Sequence, residues 1–471
     1  MGGLHGFLST RYRSITRRHL QELRQFRHLE PDQQLTVLAI SAVLPFKVNG
    51  YVVEKLIDWD DIPHDPIFQQ TFPQAGMLDP VDLARMRDLI VADAPADEIQ
   101  RTVREIQERM NPHPAGQKTL NVPSIGGRRL EGSQHKYRET VLFFPSQGQT
   151  CHAYCTYCFR WAQFVGIHEL RFASREIDTL VAYVRAHPDV TDVLFTGGDP
   201  LVMGAGMLRR YVEPLLAPEL EHLTSIRIGS KALAYWPYRF LTDPDADDLL
   251  RLFEEVAASG RQLAFMAHFS HPRELDTPAV ARALARVRAA GAVIRCQAPL
   301  ARHVNASPDV WAEMWRREVA LGAIPYYMFV ARDTGPRDYF KVPLARAHAV
   351  FSEAYAQVSG LARTVRGPSM SATPGKVLIE GVSEVRGGKV FVLKLIQARE
   401  PEWVSRIFFA RFDRSAGWLD DLVPAFGRQE FFYEPYLRSM ATGQRRPSWA
   451  GGAADALDGT AEEEVAGQEA G

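Results

Sequence analysis

The stretch 151–158, Cys-His-Ala-Tyr-Cys-Thr-Tyr-Cys, holds three of the four cysteines in this 471-residue chain. Its C-x₃-C-x₂-C spacing lets one short loop bring three thiolates to the same side, where they can bind one metal cluster. Three thiolates leave one iron of a four-iron, four-sulfur cluster without a protein ligand, so a substrate can bind that iron directly. Cys151, Cys155 and Cys158 are therefore the candidate cluster ligands. Half of a zinc site is the alternative, although structural zinc usually takes four protein ligands.

The composition is that of an ordinary globular enzyme, with 46% hydrophobic and 24% charged residues. The length allows one large domain with appendages or two or three domains. A net charge of −1 gives no reason to expect a nucleic-acid or membrane partner, and no apolar run approaches 18 residues. Clustered cysteines fit a reducing compartment rather than a disulfide framework. We expect a cytoplasmic protein.

Around the cysteine stretch, short apolar runs alternate with amphipathic segments. The predicted strands are Val141–Phe144, Val193–Thr196, Ile226–Gly229, Leu263–Phe269, Val293–Leu300 and Tyr326–Val330. The predicted helices between them are Glu176–Ala186, Ala246–Ala257, Pro278–Ala290 and Pro308–Leu321. This alternation predicts an α/β fold, a partial (β/α)₆ TIM-like barrel over residues 136–375. Chemistry in such folds collects where the strands end. The cysteines follow the first strand and Gly197-Gly198-Asp199 follows the second, so we expect both on one rim.

The flanking regions carry weaker signals. Residues 1–135 predict a mainly helical structural cap, with Asp79 and Pro80 at one helix start. The arginine-rich segment Arg11–Arg27 predicts a surface helix rather than a transit peptide. Residues 376–440 predict a C-terminal extension with a strand pair that turns at Gly387-Gly388. The Gly-, Ala- and Glu-rich residues 441–471 predict a disordered tail.

These motifs resemble the radical S-adenosylmethionine superfamily, in which an aromatic residue such as Tyr157 commonly precedes the last cysteine. Gly197, Gly198 and Asp199 resemble the glycine-rich strand end that binds the methionine amino group. From roughly residue 45 to 380 the resemblance narrows to the lysine 2,3-aminomutase family. It is carried by Asp65-Pro66-Ile67 with Gln70 and Pro73, His135-Lys136-Tyr137, Ile226-Arg227-Ile228-Gly229-Ser230-Lys231, His268-Phe269-Ser270-His271-Pro272 and Pro325-Tyr326-Tyr327. We assign His268 and His271 no catalytic role.

The resemblance implies pyridoxal phosphate held as a Schiff base on a lysine shortly after a Pro-Gly run, which points to Lys376. The family's longer glycine run has shrunk to one residue here. An amine that attacks a carbonyl must be uncharged, so its pKa should be lowered by burial or nearby cations. Lys136 and Gln297 are the expected phosphate contacts, while Thr140 stands where the family often has a second arginine.

The substrate positions depart most from the family. Arg160 matches the arginine that binds the substrate α-carboxylate, but Arg332 and Ala372 stand where lysine-specific members have two aspartates. We therefore expect an amino acid other than lysine, with an acidic or neutral distal group. Two alternatives remain at this stage: a one-residue shift would place Asp333 at the first position, or Arg332 could pair on the surface with Asp338.

The implied activity is that of an isomerase, a 2,3-aminomutase that uses a [4Fe-4S] cluster, S-adenosylmethionine and pyridoxal phosphate. Its expected partners are a small amino acid and an electron donor such as flavodoxin or ferredoxin, with a homo-oligomer left open. A radical enzyme without pyridoxal phosphate, acting on another small molecule or a peptide, is one alternative. A zinc-bearing structural or binding protein is the other.

Overall fold

The computed structural model describes residues 11–112, 114–116, 118–166 and 172–450. Its N-terminal region contains two short antiparallel strand pairs, β1 Ser14–Thr16 with β2 Lys47–Asn49 and β3 Ser124–Ile125 with β4 Arg128–Arg129. The α-helices of this region are α1 Arg24–Arg27, α2 Pro31–Val43, α3 Pro66–Thr71, α4 Pro80–Val91 and α5 Ala96–Arg109. Helix α4 starts as predicted. Pro80 occupies the first turn, and the Asp79 carboxylate accepts a hydrogen bond from the Val81 amide at 2.8 Å.

The predicted continuous helix over Arg11–Arg27 is wrong. Residues 14–16 are extended because β1 pairs with β2, and only a 3₁₀ turn and the four-residue α1 follow. The apolar side chains in this segment are not on the surface either, since Leu20 and Phe26 are fully buried in the main core. Pairing with a distant strand has overridden the local helical spacing.

An eleven-stranded sheet forms the centre of the described part of the chain. Its strands are β5 Ser133–Tyr137, β6 Thr140–Phe143, β7 Asp192–Phe195, β8 Ser225–Ser230, β9 Gln262–His268, β10 Val293–Leu300, β11 Ile324–Val330, β12 Arg366–Ser371, β13 Gly375–Val385, β14 Gly388–Ala398 and β15 Ile407–Arg411. They lie in sequence order. Strands β6 to β12 are parallel, whereas β5 and the β13–β15 segment add antiparallel strands at the two ends.

The six predicted strands are confirmed as β6 to β11, but the seventh parallel strand, β12, was missed. Its sequence Arg-Gly-Pro-Ser-Met-Ser contains no β-branched or aromatic residue and is interrupted by Gly367 and Pro368, so it carries no strand signal. It is held in the sheet by β11 on one side and β13 on the other. The predicted hairpin at Gly387-Gly388 is confirmed as β13 and β14.

Helices cover one face of the parallel strands. They are α6 Ile177–Ala186, α7 Ala205–Val212, α8 Ala232–Tyr235, α9 Ala246–Ala258, α10 Pro278–Ala289, α11 Pro308–Ala320, α12 Arg337–Phe340 and α13 Leu344–Ala356. Strand β10 shows the resulting alternation. Cys296 is buried and contacts Glu318 of α11, whereas Arg295 and Gln297 are partly exposed toward the other, inner face. The inner face is therefore where polar groups can meet a ligand.

The two ends of the sheet are joined by side chains. The ammonium of Lys136 in β5 donates to the Ala372 carbonyl, which lies between β12 and β13. The fully buried Arg399, just after β14, donates to the Thr373 carbonyl at 2.8 Å and to the Asn121 side chain. The barrel is thus partial in its strand pairing, and these polar contacts bridge the gap.

Beyond β15, the chain forms α14 Glu434–Ala441 and an ordered segment. The disordered tail was predicted to begin at residue 441, but the Ser448 amide donates to the Glu400 carboxylate at 3.0 Å and the Trp449 indole donates to the Arg399 carbonyl at 2.5 Å. The rest of the predicted tail, residues 451–471, lies outside the described residues. No helix in the described ranges combines the length and the apolar character that a membrane span needs.

Candidate active site

The three clustered cysteines lie in the loop after β6, and each thiol is partly buried. Burial, and next the nearby Cys155 thiol, raise the pKa of Cys158 to about 12. The pKa of Cys151 is also raised by burial, with contributions from Asp199 and from the other two thiols. Thiols that raise one another's pKa are close together and need a cation to become thiolates. Iron supplies that charge, so the loop fits a metal cluster.

The same loop does not fit a single zinc ion. No group of three or more His, Cys, Asp or Glu side chains within the described ranges is arranged around one metal ion. A four-iron cluster binds each thiolate through a different iron, so its ligands stand farther apart than those of one ion. The fourth cysteine, Cys296, contacts Glu318 under helix α11. The donor set favours the cluster over the zinc alternative.

The N-terminal region, expected only as a structural cap, holds the cysteine loop in place. The Tyr12 hydroxyl and the Asn49 amide both donate to the His152 carbonyl, at 3.0 and 3.1 Å. On the other side of the loop, the Thr156 amide donates to the Gln70 carbonyl at 2.9 Å. Sequence reasoning missed these positioning residues. The only signal was that Gln70 belonged to one of the family-like blocks.

The glycine-rich strand end packs directly against the residues that precede Cys151. A Cβ atom on Gly198 would lie 2.4 Å from the Thr150 carbonyl oxygen, and one on Gly197, whose φ is +136°, would lie 2.2 Å from the Gln149 side chain. The Asp199 amide donates to the Thr150 carbonyl at 2.7 Å. Glycine is required here because only a chain without side chains can approach the cysteine loop so closely. The structure therefore brings both predicted motifs together on one rim.

The Asp199 carboxylate joins the ends of β7 and β8. It is buried and accepts hydrogen bonds from the Leu201 amide at 3.0 Å, the Ser230 hydroxyl at 2.9 Å and the Lys231 amide at 2.9 Å. With these donors in place, Asp199 acts on any ligand of the rim chiefly by fixing the shape of the Gly197-Gly198 turn.

A buried polar network lies behind Cys155. The Lys231 ammonium pairs with the Glu274 carboxylate at 2.9 Å, and the Gln70 amide donates to the same carboxylate at 2.7 Å. The Tyr157 hydroxyl in turn donates to Gln70 at 2.9 Å. Lys231 also acts on Cys155, whose pKa is raised by burial and lowered by that cation. The aromatic residue before the last cysteine thus anchors the loop to a buried ion pair.

The two histidines given no catalytic role make local hydrogen bonds. The His268 ring lies 3.1 Å from the Ser270 hydroxyl, and the His271 ring accepts a hydrogen bond from the Arg273 amide at 3.2 Å. Both rings therefore have partners within their own turn.

Arg160 and Arg332, the two predicted substrate ligands, meet at one aromatic ring. Their guanidinium carbons lie 4.8 and 5.2 Å from the centre of the Phe159 ring. Arg160 is 9% exposed, and burial lowers its pKa to about 9. Its Nη1 is buried without a hydrogen-bond partner, as are Nε and Nη2 of Arg332. A small cavity is lined in part by Arg160 and Phe159. Buried N–H groups without acceptors, beside a cavity, suit an anionic ligand.

The surface pair of Arg332 with Asp338 is not seen among the described residues, whereas the alternative that Asp333 takes the substrate position stays a prediction, since Asp333 Oδ1 is buried without a hydrogen-bond partner. Asp338 pairs with Arg337 at 3.6 Å, and Arg332 forms no ion pair with any described residue. Asp333 is held by Asn111, whose side-chain amide donates to the Asp333 carbonyl at 2.8 Å and to its carboxylate at 3.3 Å. Burial lowers the pKa of Arg332, and Asp333 partly offsets that effect. Arg332 itself therefore provides the polar group that faces Phe159.

Lys376 lies near the start of β13 with its ammonium 4.1 Å from the centre of the Tyr327 ring. It has no hydrogen-bond or ion-pair partner among the described residues. Burial lowers its pKa well below the ordinary lysine value, and the cations Arg227 and Arg366 lower it further. This environment favours the uncharged amine that a lysine needs to react with a carbonyl.

The two expected phosphate contacts, Lys136 and Gln297, lie in the same region as Lys376. Burial lowers the pKa of Lys136 well below its ordinary value. The nearby cations Arg399, Arg332 and Lys376 lower the pKa further. Gln297 lies opposite Tyr327 in the strand register, on the inner face of β10. Lys136 therefore lies near both Lys376 and Arg332. This concentration of positive charge suits anionic ligands.

Comparison with known proteins identifies relatives but no matching family model. An Aquifex aeolicus protein provisionally named L-lysine 2,3-aminomutase is 32% identical over 294 residues, which are 62% of this chain and 75% of that protein. L-lysine 2,3-aminomutase of Escherichia coli strain K12 is 30% identical over 52% of this chain and 68% of its own. The Clostridium subterminale enzyme of the same name is 25% identical over 72% and 70%.

Solved structures with partial similarity include a radical SAM methyltransferase from Sphaerobacter thermophilus, with 16% identity, a TM-score of 0.35 and coverage of 48% of this chain and 65% of that one. Another is Streptococcus suis SuiB bound to the precursor peptide SuiA, with 14% identity, a TM-score of 0.32 and 58% coverage of each chain. The sequence relatives decide the assignment: the chain belongs to the lysine 2,3-aminomutase family of radical S-adenosylmethionine enzymes.

Proposed function

We propose that this protein is a pyridoxal phosphate-dependent 2,3-aminomutase whose substrate is an amino acid with an acidic distal group. The observation that carries the proposal is the pair Arg160 and Arg332, which share the Phe159 ring and keep buried N–H groups without acceptors. Two cations at one aromatic ring match a ligand with two carboxylates.

The cysteine rim would hold the radical-generating group. Cys151, Cys155 and Cys158 would bind a [4Fe-4S] cluster, and Gly197, Gly198 and Asp199 would shape the place for S-adenosylmethionine. Once reduced by a donor such as flavodoxin or ferredoxin, these groups together supply a 5′-deoxyadenosyl radical that can abstract hydrogen. The protein's part is to orient the loop and keep water away from a reactive species.

Lys376 would carry pyridoxal phosphate, with Lys136 and Gln297 near its phosphate. When bound, this cofactor holds the substrate nitrogen and lets it move from carbon 2 to carbon 3. The lowered pKa of Lys376 supports the role, because an uncharged amine is present at a pH where an exposed lysine would be protonated.

The arginine pair would set the substrate. Arg160 would bind the α-carboxylate and Arg332 the distal carboxylate. The distal ammonium of lysine would instead face a buried guanidinium, at a cost on the order of several kcal/mol in a poorly solvated site. Ala372, at the other position expected to hold an aspartate, is buried and offers no charge to compensate.

The test is an anaerobic panel of amino acids incubated with the cluster-loaded protein, S-adenosylmethionine, dithionite and pyridoxal phosphate. We expect a 3-amino product from an acidic amino acid and none from L-lysine. Efficient conversion of L-lysine to β-lysine would contradict the substrate proposal. Borohydride reduction followed by peptide mapping should place the pyridoxyl label on Lys376. A protein that turns over S-adenosylmethionine but retains no label would be a radical enzyme without pyridoxal phosphate.

A further inference from the structure

A second group of cations lies on the inner face of the sheet, around two neighbouring tyrosines. The guanidinium carbons of Arg295 and Arg366 lie 5.1 and 4.5 Å from the centre of the Tyr326 ring. Arg366 also lies 4.4 Å from the centre of the Tyr327 ring, over which the Lys376 ammonium stands at 4.1 Å. Arg366 is thus the cation that links this group to the reactive lysine.

The strand pairing explains why these rings and cations meet. Cys296 is paired with Pro325 and Gln297 with Tyr327, so Tyr326 is an extra residue in β11. Such a bulge re-aims the side chains of its strand. Tyr327 is then directly opposite Arg366 in the register with β12. A guanidinium that stacks on aromatic faces keeps its N–H edges available for a planar or tetrahedral anion.

The charge of this group is not balanced within the protein. Arg227, the next cation along the sheet, is paired with Asp192 at 2.8 Å. Arg295 and Arg366, by contrast, have neither an ion-pair nor a hydrogen-bond partner in the described ranges, although both are only partly exposed. Cations held on aromatic rings without an anion are typical of a site whose anion comes from a ligand.

Lys136, the other candidate cation for a phosphate, already has a hydrogen-bond partner. The Lys136 ammonium donates to the Ala372 carbonyl, and Thr140, which stands where an arginine was expected, donates its hydroxyl to Asp192 at 3.1 Å. Strand β5 therefore offers an engaged lysine, and β6 carries no arginine at position 140. Arg366, on β12 and across the barrel opening from β6, offers unengaged donors beside Lys376.

We propose that Arg366, assisted by Arg295, binds the phosphate of the pyridoxal phosphate that Lys376 carries. This inference rests on the cofactor dependence in the proposed function. A phosphate monoester carries about −1.5 to −2 charges at neutral pH, and a guanidinium can donate two parallel hydrogen bonds to it. The arginine missing from position 140 is thereby replaced by one from the opposite end of the parallel strands.

The test compares pyridoxal phosphate with pyridoxal, which lacks the phosphate, as ligands of the full-length, cluster-loaded protein. Binding is followed by absorbance and by borohydride labelling of Lys376. In Arg366→Met, the Kd for pyridoxal phosphate should rise roughly ten- to a hundredfold, the loss expected for a hydrogen bond to a charged group. The Kd for pyridoxal should rise much less, because Arg366 acts on pyridoxal only through the pKa of Lys376. Arg366→Lys should fall between the two proteins, and inorganic phosphate should compete more weakly in Arg366→Met.

The control is Arg411→Met, which removes the same charge from an exposed position on β15. Equal weakening of pyridoxal and pyridoxal phosphate by Arg366→Met would show that Arg366 acts on the lysine rather than on the phosphate, and would overturn the inference. So would undiminished pyridoxal phosphate binding in that variant. If the unmodified protein takes up neither ligand, the proposed function fails in its cofactor dependence, an outcome distinct from either of these.

Discussion

Replacing Arg332 with methionine tests the substrate assignment directly. Its Nε and Nη2, the two buried N–H-bearing atoms without acceptors, form one edge of the guanidinium and can donate side by side to a single carboxylate. Methionine keeps the apolar packing against Phe159 and Trp418 but removes both donors. Hydrogen bonds to charged groups contribute about 1.5–3 kcal/mol. We therefore expect kcat/KM for an acidic amino acid to fall roughly ten- to a hundredfold, at about 1.4 kcal/mol per factor of ten.

The same substitution should not harm folding. Arg332 forms no ion pair among the described residues, its Nε and Nη2 are buried, and burial lowers its pKa. Removing it takes away an uncompensated desolvation cost, so the free energy of unfolding of the ligand-free protein should stay the same or rise by about 1 kcal/mol. Activity and stability should thus change in opposite directions, which separates a binding role from a structural one.

The assay measures anaerobic turnover of an acidic and a neutral amino acid by the unmodified protein, Arg332→Met and Arg337→Met, alongside urea unfolding of each. Arg337 is the matched control because it lies in the same segment, is exposed and pairs with Asp338. The reasoning is refuted if Arg332→Met keeps full kcat/KM for the acidic substrate, or if it loses activity only because it unfolds.

Three further outcomes follow from the structure. Gly198→Ala should lower the iron bound per chain without loss of secondary structure by circular dichroism, because the new Cβ would lie 2.4–2.7 Å from the Thr150 backbone; normal iron content would contradict the close-packing argument. Labelling of Lys376 by pyridoxal phosphate and borohydride should titrate with a midpoint below the ordinary lysine pKa of about 10.4. A labelling midpoint at the ordinary value would contradict the burial of Lys376. Because the pKa of Lys376 is lowered in the folded state, its unfavourable contribution to the free energy of unfolding should shrink as pH rises from the lowered pKa toward the ordinary value. Arg399→Met should reduce the free energy of unfolding by about 2–4 kcal/mol, since it leaves the Thr373 and Asn121 acceptors without their donor, whereas Arg411→Met should leave it within about 0.5 kcal/mol.

Much of the fold followed from local pattern. The six predicted runs became β6 to β11 to within two residues, because β-branched and aromatic residues favour strands and the outward face of each strand is buried under the helices. The failures came where tertiary contacts replaced a local signal. Strand β12 has no β-branched or aromatic residue, and residues 14–16, which precede the helical spacing at Leu20, are drawn into an extended pairing with β2. Strand β2, which pairs with β1, and strand β11, the parallel partner of β12, are both distant in sequence.

The candidate site divides in the same way. The cysteines, Gly197-Gly198, Arg160 and Lys376 were accessible from the sequence because each is part of a short motif with a chemical requirement. The roles of Tyr12 and Asn49 on the cysteine loop were not, since single side chains that bond to a distant carbonyl leave no local pattern.

By itself, the sequence determined the parallel α/β architecture and the family and predicted the cluster ligands, since periodicity and spacing are local properties of a chain. Only the tertiary structure decided that Arg332 faces the same ring as Arg160 instead of a surface aspartate, and that Arg366 stands beside Lys376. The physical reason is that the balance of buried charge depends on which side chains the fold brings together. Spacing along the sequence does not predict which charged side chains will meet.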